Sequence, residues 1–141
     1  MDNIRLTYEV EGGDLTQAGE ASAQVKQTLR KLGFDPDTIR RVSVCMYEGE
    51  INMVIHADGG EAEVEVDMDR IVLRMTDTGP GIPDVEQAMQ EGYSTAPDNV
   101  RSLGFGAGMG LPNIKKYSDD MRIDTELGKG TTMYFSVFPK N

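Results

Sequence analysis

Cysteine is almost missing from the 141 residues: Cys45 stands alone. One thiol closes no intramolecular disulfide and has no companions for a cysteine metal site. The chain is therefore expected in a reducing, cytoplasmic setting, with Cys45 as a buried helix thiol. No apolar run is long enough to span a bilayer. Met1-Asp2 leads into a polar strand pattern rather than a secretory leader, so neither a membrane anchor nor export is expected. Positive charge is scarce too. With 14 Lys+Arg against 24 Asp+Glu the formal net charge is −10, which argues against direct nucleic-acid binding, because phosphate backbones require basic surface. Repeats and low-complexity tracts are lacking. A hydrophobic fraction of 38% with 27% charged residues fits one globular domain over residues 1–141, since two smaller pieces would bury little core.

What is present is unevenly placed. Residues 1–100 carry 8 Lys+Arg against 20 Asp+Glu, whereas residues 101–141 carry 6 against 4. The C-terminal stretch, where glycines gather, is thus the part that tolerates an anion. Ile4, Leu6, Tyr8 and Val10 alternate with polar residues and predict a strand. Asp14 and Gln17 read as a capping box for a helix that carries Leu15, Ala18, Ser22, Val25, Leu29 and Leu32 inward and ends at Gly33. Asp35 and Pro36 start a second helix, with Ile39, Val42, Met46 and Met53 inward, stopping around Asp58-Gly59-Gly60.

From Glu61 the period becomes two. Ala62, Val64, Val66 and Met68 share one face and Glu61, Glu63, Glu65 and Asp67 the other, followed by a turn near Asp69 and a strand over Ile71–Met75. A short helix from Asp84 to Met89, a long glycine-rich loop over 92–110, a helix from Gly110 to Tyr117 and a closing hairpin around Gly128-Lys129-Gly130 complete the order. Helices with one apolar stripe beside strands with one acidic face imply an α/β (α+β) two-layer sandwich, helices on one side of a mixed sheet.

Three groups of residues point to chemistry. Glu48, Asn52 and His56 lie four apart on the second helix and share a face. A carboxylate one turn from a carboxamide suits a base beside a Mg²⁺ ligand, though such spacing is more often a solvated helix face, and His56 reads as a helix-end residue. Asp77-Thr78-Gly79-Pro80-Gly81 follows a buried strand. Its glycines serve a tight turn, and a strand-end carboxylate can also accept the exocyclic amine of adenine. Gly104, Gly106, Gly108 and Gly110 lead into a helix. Bare backbone amides at a helix start suit phosphate, although a linker has the same composition. The sequence fits neither a P-loop nor a dinucleotide fingerprint.

Taken in order, Glu48-x-x-x-Asn52, Asp77-x-Gly79-x-Gly81, Gly104 to Gly110 and Gly130-Thr131 resemble the N box, G1 box, G2 box and closing threonine of the GHKL ATPase superfamily. The resemblance implies a Bergerat fold that binds ATP and Mg²⁺. It gives Mg²⁺ ligation to Asn52 and the adenine contact to Asp77, supported by Thr131. Gly79, Gly81 and Ile82 line the nucleotide, and Gly104, Gly106, Gly108, Met109, Gly110 and Leu111 surround the phosphates under a lid over about 83–108. The lid arginine of the family corresponds to Arg101, at a wider spacing from Gly108.

Within the superfamily, the length and the segment Glu91-Gly92-Tyr93-Ser94-Thr95 are most similar to the anti-sigma and stress-switch serine kinases. For these the resemblance implies Glu48 as base, phosphoryl transfer to an antagonist of the STAS type, a sigma factor as a second partner, and frequent homodimers. Two other readings use the same residues: a binding module whose nucleotide sets partner choice, and an ATPase in which Glu48 activates water.

Overall fold

The computed structural model describes residues 3–11, 19–56, 59–81, 89 and 110–139, apart from the side chains of residues 11, 55, 56 and 110. Eight elements follow in chain order: β1 (Ile4–Glu11), α1 (Glu20–Lys31), α2 (Pro36–His56), β2 (Gly59–Val66), β3 (Ile71–Asp77), α3 (Gly110–Tyr117), β4 (Asp120–Glu126) and β5 (Gly130–Val137).

Helix α2 starts where local chemistry dictates. The Thr38 amide donates to Asp35 Oδ2 at 3.0 Å and the Thr38 hydroxyl to Oδ1 at 2.5 Å, with Pro36 in the first helical position. Helix α1 starts later than its apolar spacing predicts. Gly19 has φ 94°, outside the helical region, so the helix opens at Glu20. Asp14 and Gln17 lie outside the described residues. Glu50 of α2 caps the described start of the helix, its carboxylate accepting the amides of Gly19 (3.0 Å), Ala21 (3.2 Å) and Ser22 (3.1 Å). This carboxylate is 2% exposed and lies against the positive end of the α1 dipole.

The five strands form one sheet in the order β1-β2-β3-β5-β4. Every pairing is antiparallel, which corrects the expectation of a mixed sheet. The reason lies in the hairpin: β5 returns from the edge strand β4 and enters beside β3 against its direction. Two further expectations shift. Gly59 and Gly60 begin β2 rather than ending α2, with Gly60 opposite Asp77. The alternation from Ala62 stops at Val66, so Met68 falls in the turn and is 45% exposed rather than in the core.

The helices cover one face. Val25, Leu29, Val42, Met46 and Met53 meet Val64, Leu73, Met133 and Phe135, all at most 1% exposed, each worth about 1.5–3 kcal/mol on full burial. Helix α2 lies at the centre. At Gly49 a side chain would run into the Met75 sulfur, so the missing Cβ lets α2 settle onto β3. The opposite sheet face carries Arg5 paired with Glu63 (3.3 Å) and Glu65 (3.7 Å), and Arg122 stacked 4.4 Å from the Tyr134 ring. None of the described helices is long and apolar enough to cross a membrane.

Candidate functional site

Asp77 is the last residue of β3 and is buried, at 8% exposure. Its Oδ1 accepts the Gly79 amide at 2.9 Å and the Thr131 amide at 3.3 Å. Among the described residues Oδ2 receives no donor, so one carboxylate oxygen is fixed and the other is left for a ligand. Thr131 is buried as well, and its hydroxyl lies 2.9 Å from that of Thr125. Two glycines permit this closeness. Gly130, at φ 132°, sits where a Cβ would strike the Asp77 carbonyl, and Gly81, at φ 83°, where a Cβ would come within 2.7 Å of the Glu126 carbonyl. The Gly128 amide donates to the Pro80 carbonyl at 2.9 Å, tying the Asp77–Gly81 loop to the β4–β5 turn.

Glu48 and Asn52 are both partly exposed on α2, one turn apart. Topology brings them to the same end as Asp77. Helix α2 ends at His56, β2 begins at Gly59, and Gly60 pairs directly with Asp77. Gly49, beside Glu48, packs on Met75, the core-facing residue one pleat before Asp77.

Helix α3 lies antiparallel along α2, fastened at three levels. Arg41 Nε donates to the Tyr117 carbonyl at 3.0 Å, Cys45 Sγ to the Ile114 carbonyl at 3.7 Å, and Asn113 Nδ2 to Glu48 Oε1 at 3.4 Å. This ladder aims the amino end of α3 toward the Asn52 end of α2. Leu111, in the first turn of α3, is 8% exposed and anchors that end in the core.

Electrostatics follow from burial. Desolvation raises the Glu48 carboxyl above its ordinary range, and the Asn113 hydrogen bond acts in the opposite direction. Burial pushes the Cys45 thiol up to about 12, opposed by Arg41 and reinforced by Glu48 and Asp119. As expected from the sequence, Cys45 is a buried helix thiol.

Of the residues singled out in the sequence, Glu48, Asn52, Asp77, Gly79, Gly81 and Thr131 gather at this end, with Gly110 and Leu111 opening α3. Ile82, Arg101, Gly104, Gly106, Gly108 and Met109 lie outside the described residues, as do the expected lid, the short helix before Met89 and the His56 side chain. Two residues escaped the sequence reading. Asn113 carried no signal. Glu50 did: an acid one turn after the inward-facing Met46 occupies a core position, which calls for a buried hydrogen-bonding role.

The donor set suits a magnesium nucleotide. Asn52 and Glu48 offer hard oxygen atoms of the kind Mg²⁺ takes alongside phosphate oxygens and water, and Asp77 retains an acceptor for an amine.

Comparison with known proteins shows the family and the fold. The family model for histidine kinase-, DNA gyrase B- and HSP90-like ATPases matches residues 38–141. The serine/threonine-protein kinase RsbT of Bacillus subtilis is 29% identical over 110 residues, covering 75% of this chain and 77% of the relative. The anti-sigma F factor of Clostridium beijerinckii is 33% identical over 120 residues, covering 79% and 80%. Among solved structures, the RsbU and RsbW domains of a Mycobacterium tuberculosis protein superpose with a TM-score of 0.62 at 16% identity, over 100% of this chain and 33% of that one. The mycobacterial sensor histidine kinase MprB gives 0.55 at 17% identity, over 97% and 99%. With three-quarters of its length under the family model and a relative above 30% identity, the chain belongs to the histidine kinase-, DNA gyrase B- and HSP90-like ATPase family.

Proposed function

We propose that the chain is an ATP-dependent serine/threonine protein kinase of the anti-sigma type, acting on a regulatory protein partner. The observation that carries this reading is the placement of Glu48: half-buried on α2, one turn from Asn52, held by Asn113 of α3, and at the same end as Asp77. The similarity to a kinase and to anti-sigma F factors supports it.

In this reading Asp77 Oδ2 accepts the adenine amine while Oδ1 stays engaged with Gly79 and Thr131. Asn52 holds Mg²⁺, and the amides opening α3 face the phosphates. Bound Mg-ATP supplies the phosphoryl group and the neutralising charge. Glu48 accepts the proton of the substrate hydroxyl, and Asn113 keeps its carboxylate oriented toward that hydroxyl. Burial strengthens Glu48 as a base at neutral pH. The acceptor we propose is a serine or threonine of a STAS-type antagonist in the cytoplasm, with a sigma factor as the competing partner.

Radiolabelled ATP with Mg²⁺ and purified STAS-type proteins tests this directly. Label on a partner serine or threonine that disappears with Glu48→Ala and Asn52→Ala is the expected outcome. Free phosphate without labelled protein would instead establish an ATPase, and nucleotide binding without either would establish a switch.

A further inference from the structure

We infer that the outer side of α2 is the docking strip for the substrate protein, taking an extended segment whose acceptor serine or threonine lies on Glu48 and whose acidic residue, about four positions away, lies between Arg40 and Lys116. The inference rests on the kinase reading and adds to it the recognition element of the substrate. Val42, Met46, Gly49 and Met53 face the sheet, so the helical period turns Arg40, Val44, Tyr47 and Glu48 away from it. Helix α1 packs on one flank of this strip, where a Cβ at Gly19 would meet the Tyr47 ring at 2.8 Å. Helix α3 packs on the other, through Arg41, Cys45 and the Asn113 bond to Glu48.

The two ends of the strip differ in charge. At one stands Glu48. At the other, Arg40 and Lys116 each lie 5.3 Å from the centre of the Tyr117 ring. Two cations drawn to one ring repel each other, and an incoming carboxylate relieves that repulsion. Among the described residues Lys116 has no ion-pair partner, and Arg40 has only an exposed pair with Asp37 at 3.3 Å, which a second carboxylate can share. The dipole of α3 accounts for Lys115 and Lys116 in its last turn. It does not account for Arg40 of a different helix meeting Lys116 at the same ring. In a chain of net charge −10 this is a place that attracts an acidic segment instead of repelling it. Between the ends lie half-buried Val44 and Tyr47, 37% exposed, an apolar middle for the segment to cover.

Length sets the spacing. Arg40 and Glu48 are eight positions apart on α2, about 12 Å along its axis. An extended chain covers that distance in about four residues. Serine has a short side chain, and an extended backbone lying close on α2 brings its hydroxyl down to the half-buried Glu48. Direction follows from the nucleotide. Beyond Glu48 stands Asn52, assigned to magnesium, so the segment runs the other way, toward Arg40.

Steady-state phosphorylation of the STAS-type protein that takes the radiolabel tests this. Lys116→Glu should raise the KM for that protein about tenfold, and Arg40→Gln and Lys116→Gln about threefold each, with kcat and the KM for ATP unchanged. Added salt should raise the wild-type KM and narrow the gap to the variants. Arg122→Gln, on the open sheet face, should match wild type. Acidic residues of the substrate within about five positions of the labelled serine are then changed to lysine one at a time. One of these should bring the KM of Lys116→Glu back toward the wild-type value, a rescue that a purely structural role for Lys116 would not produce. The inference is overturned if the variants keep the wild-type KM, if the loss falls on kcat, or if no such substrate change rescues Lys116→Glu. A wild type that labels no protein overturns the kinase reading and this inference with it, so the two failures are distinct.

Discussion

At the scale of single residues, Glu48 and Asp77 are carboxylates put to different uses. Glu48 is partly desolvated, so its ionised form is disfavoured in the fold and its pKa lies above the ordinary range. The linkage has a definite sign. The contribution of such a group to stability is complete below the ordinary carboxylate range and is lost as pH rises through the raised value. Glu48→Gln removes that loss. The variant should melt about 1 to 3 °C above wild type at neutral pH, with the gap closing below the ordinary range, as thermal denaturation at both pH values will show. It should retain nucleotide and lose phosphoryl transfer.

Asp77→Asn probes the other carboxylate. With Oδ1 still accepting the Gly79 and Thr131 amides, the new NH₂ group replaces the free acceptor by a donor. Adenine nucleotides should then bind about ten- to a hundredfold more weakly, while guanine nucleotides change little. Calorimetry with both measures this, and equal losses would contradict the role given to Asp77. The carboxylates themselves were legible as motif residues. Asn113 was not, because its bond to Glu48 joins positions 65 apart in the chain, and no local pattern marks such a pair.

At the scale of elements, the two long helices show what a sequence can declare about its own ends. The start of α2 is written locally, in Asp35, Pro36 and Thr38. The start of α1 depends on Glu50, about thirty positions downstream, and apolar spacing carried the expected helix back to Leu15. The overreach at Met68 has the same origin: period-two alternation persists for one residue pair past the last ladder partner, and only the turn decides where pairing stops. Because Glu50 answers three amides, Glu50→Ala leaves buried donors bare and should cost about 2 to 3 kcal/mol in urea denaturation. Glu50→Gln, keeping one acceptor oxygen, should fall between that variant and wild type.

For the whole molecule, the two layers follow from the single apolar stripe of the helices and the acidic face of β2. Strand order and direction do not, since β5 finds β3 only after the chain has passed through α3 and β4. One cation joins the distant parts. Arg41, its side chain 14% exposed, donates to the Tyr117 carbonyl, to Asp119 at 2.7 Å and to the Phe138 carbonyl at 3.5 Å, while Asp119 also accepts the Phe138 amide at 2.6 Å. It thus fixes the end of α3, the entry to β4 and the exit of β5 against α2. Arg41→Met should destabilise the fold by about 1 to 2 kcal/mol, because it removes the donor shared by a partly exposed carboxylate and two carbonyls, and equilibrium unfolding will register it.

Glu50 stands on α2 between the proposed base and the proposed magnesium ligand, with its head locked into the tip of α1. Neither helix can slide past the other without breaking three bonds at once. Thrust applied to the outer flank of α1 by a docked protein would therefore reach the proposed base on α2 through one rigid strut, bypassing the sheet.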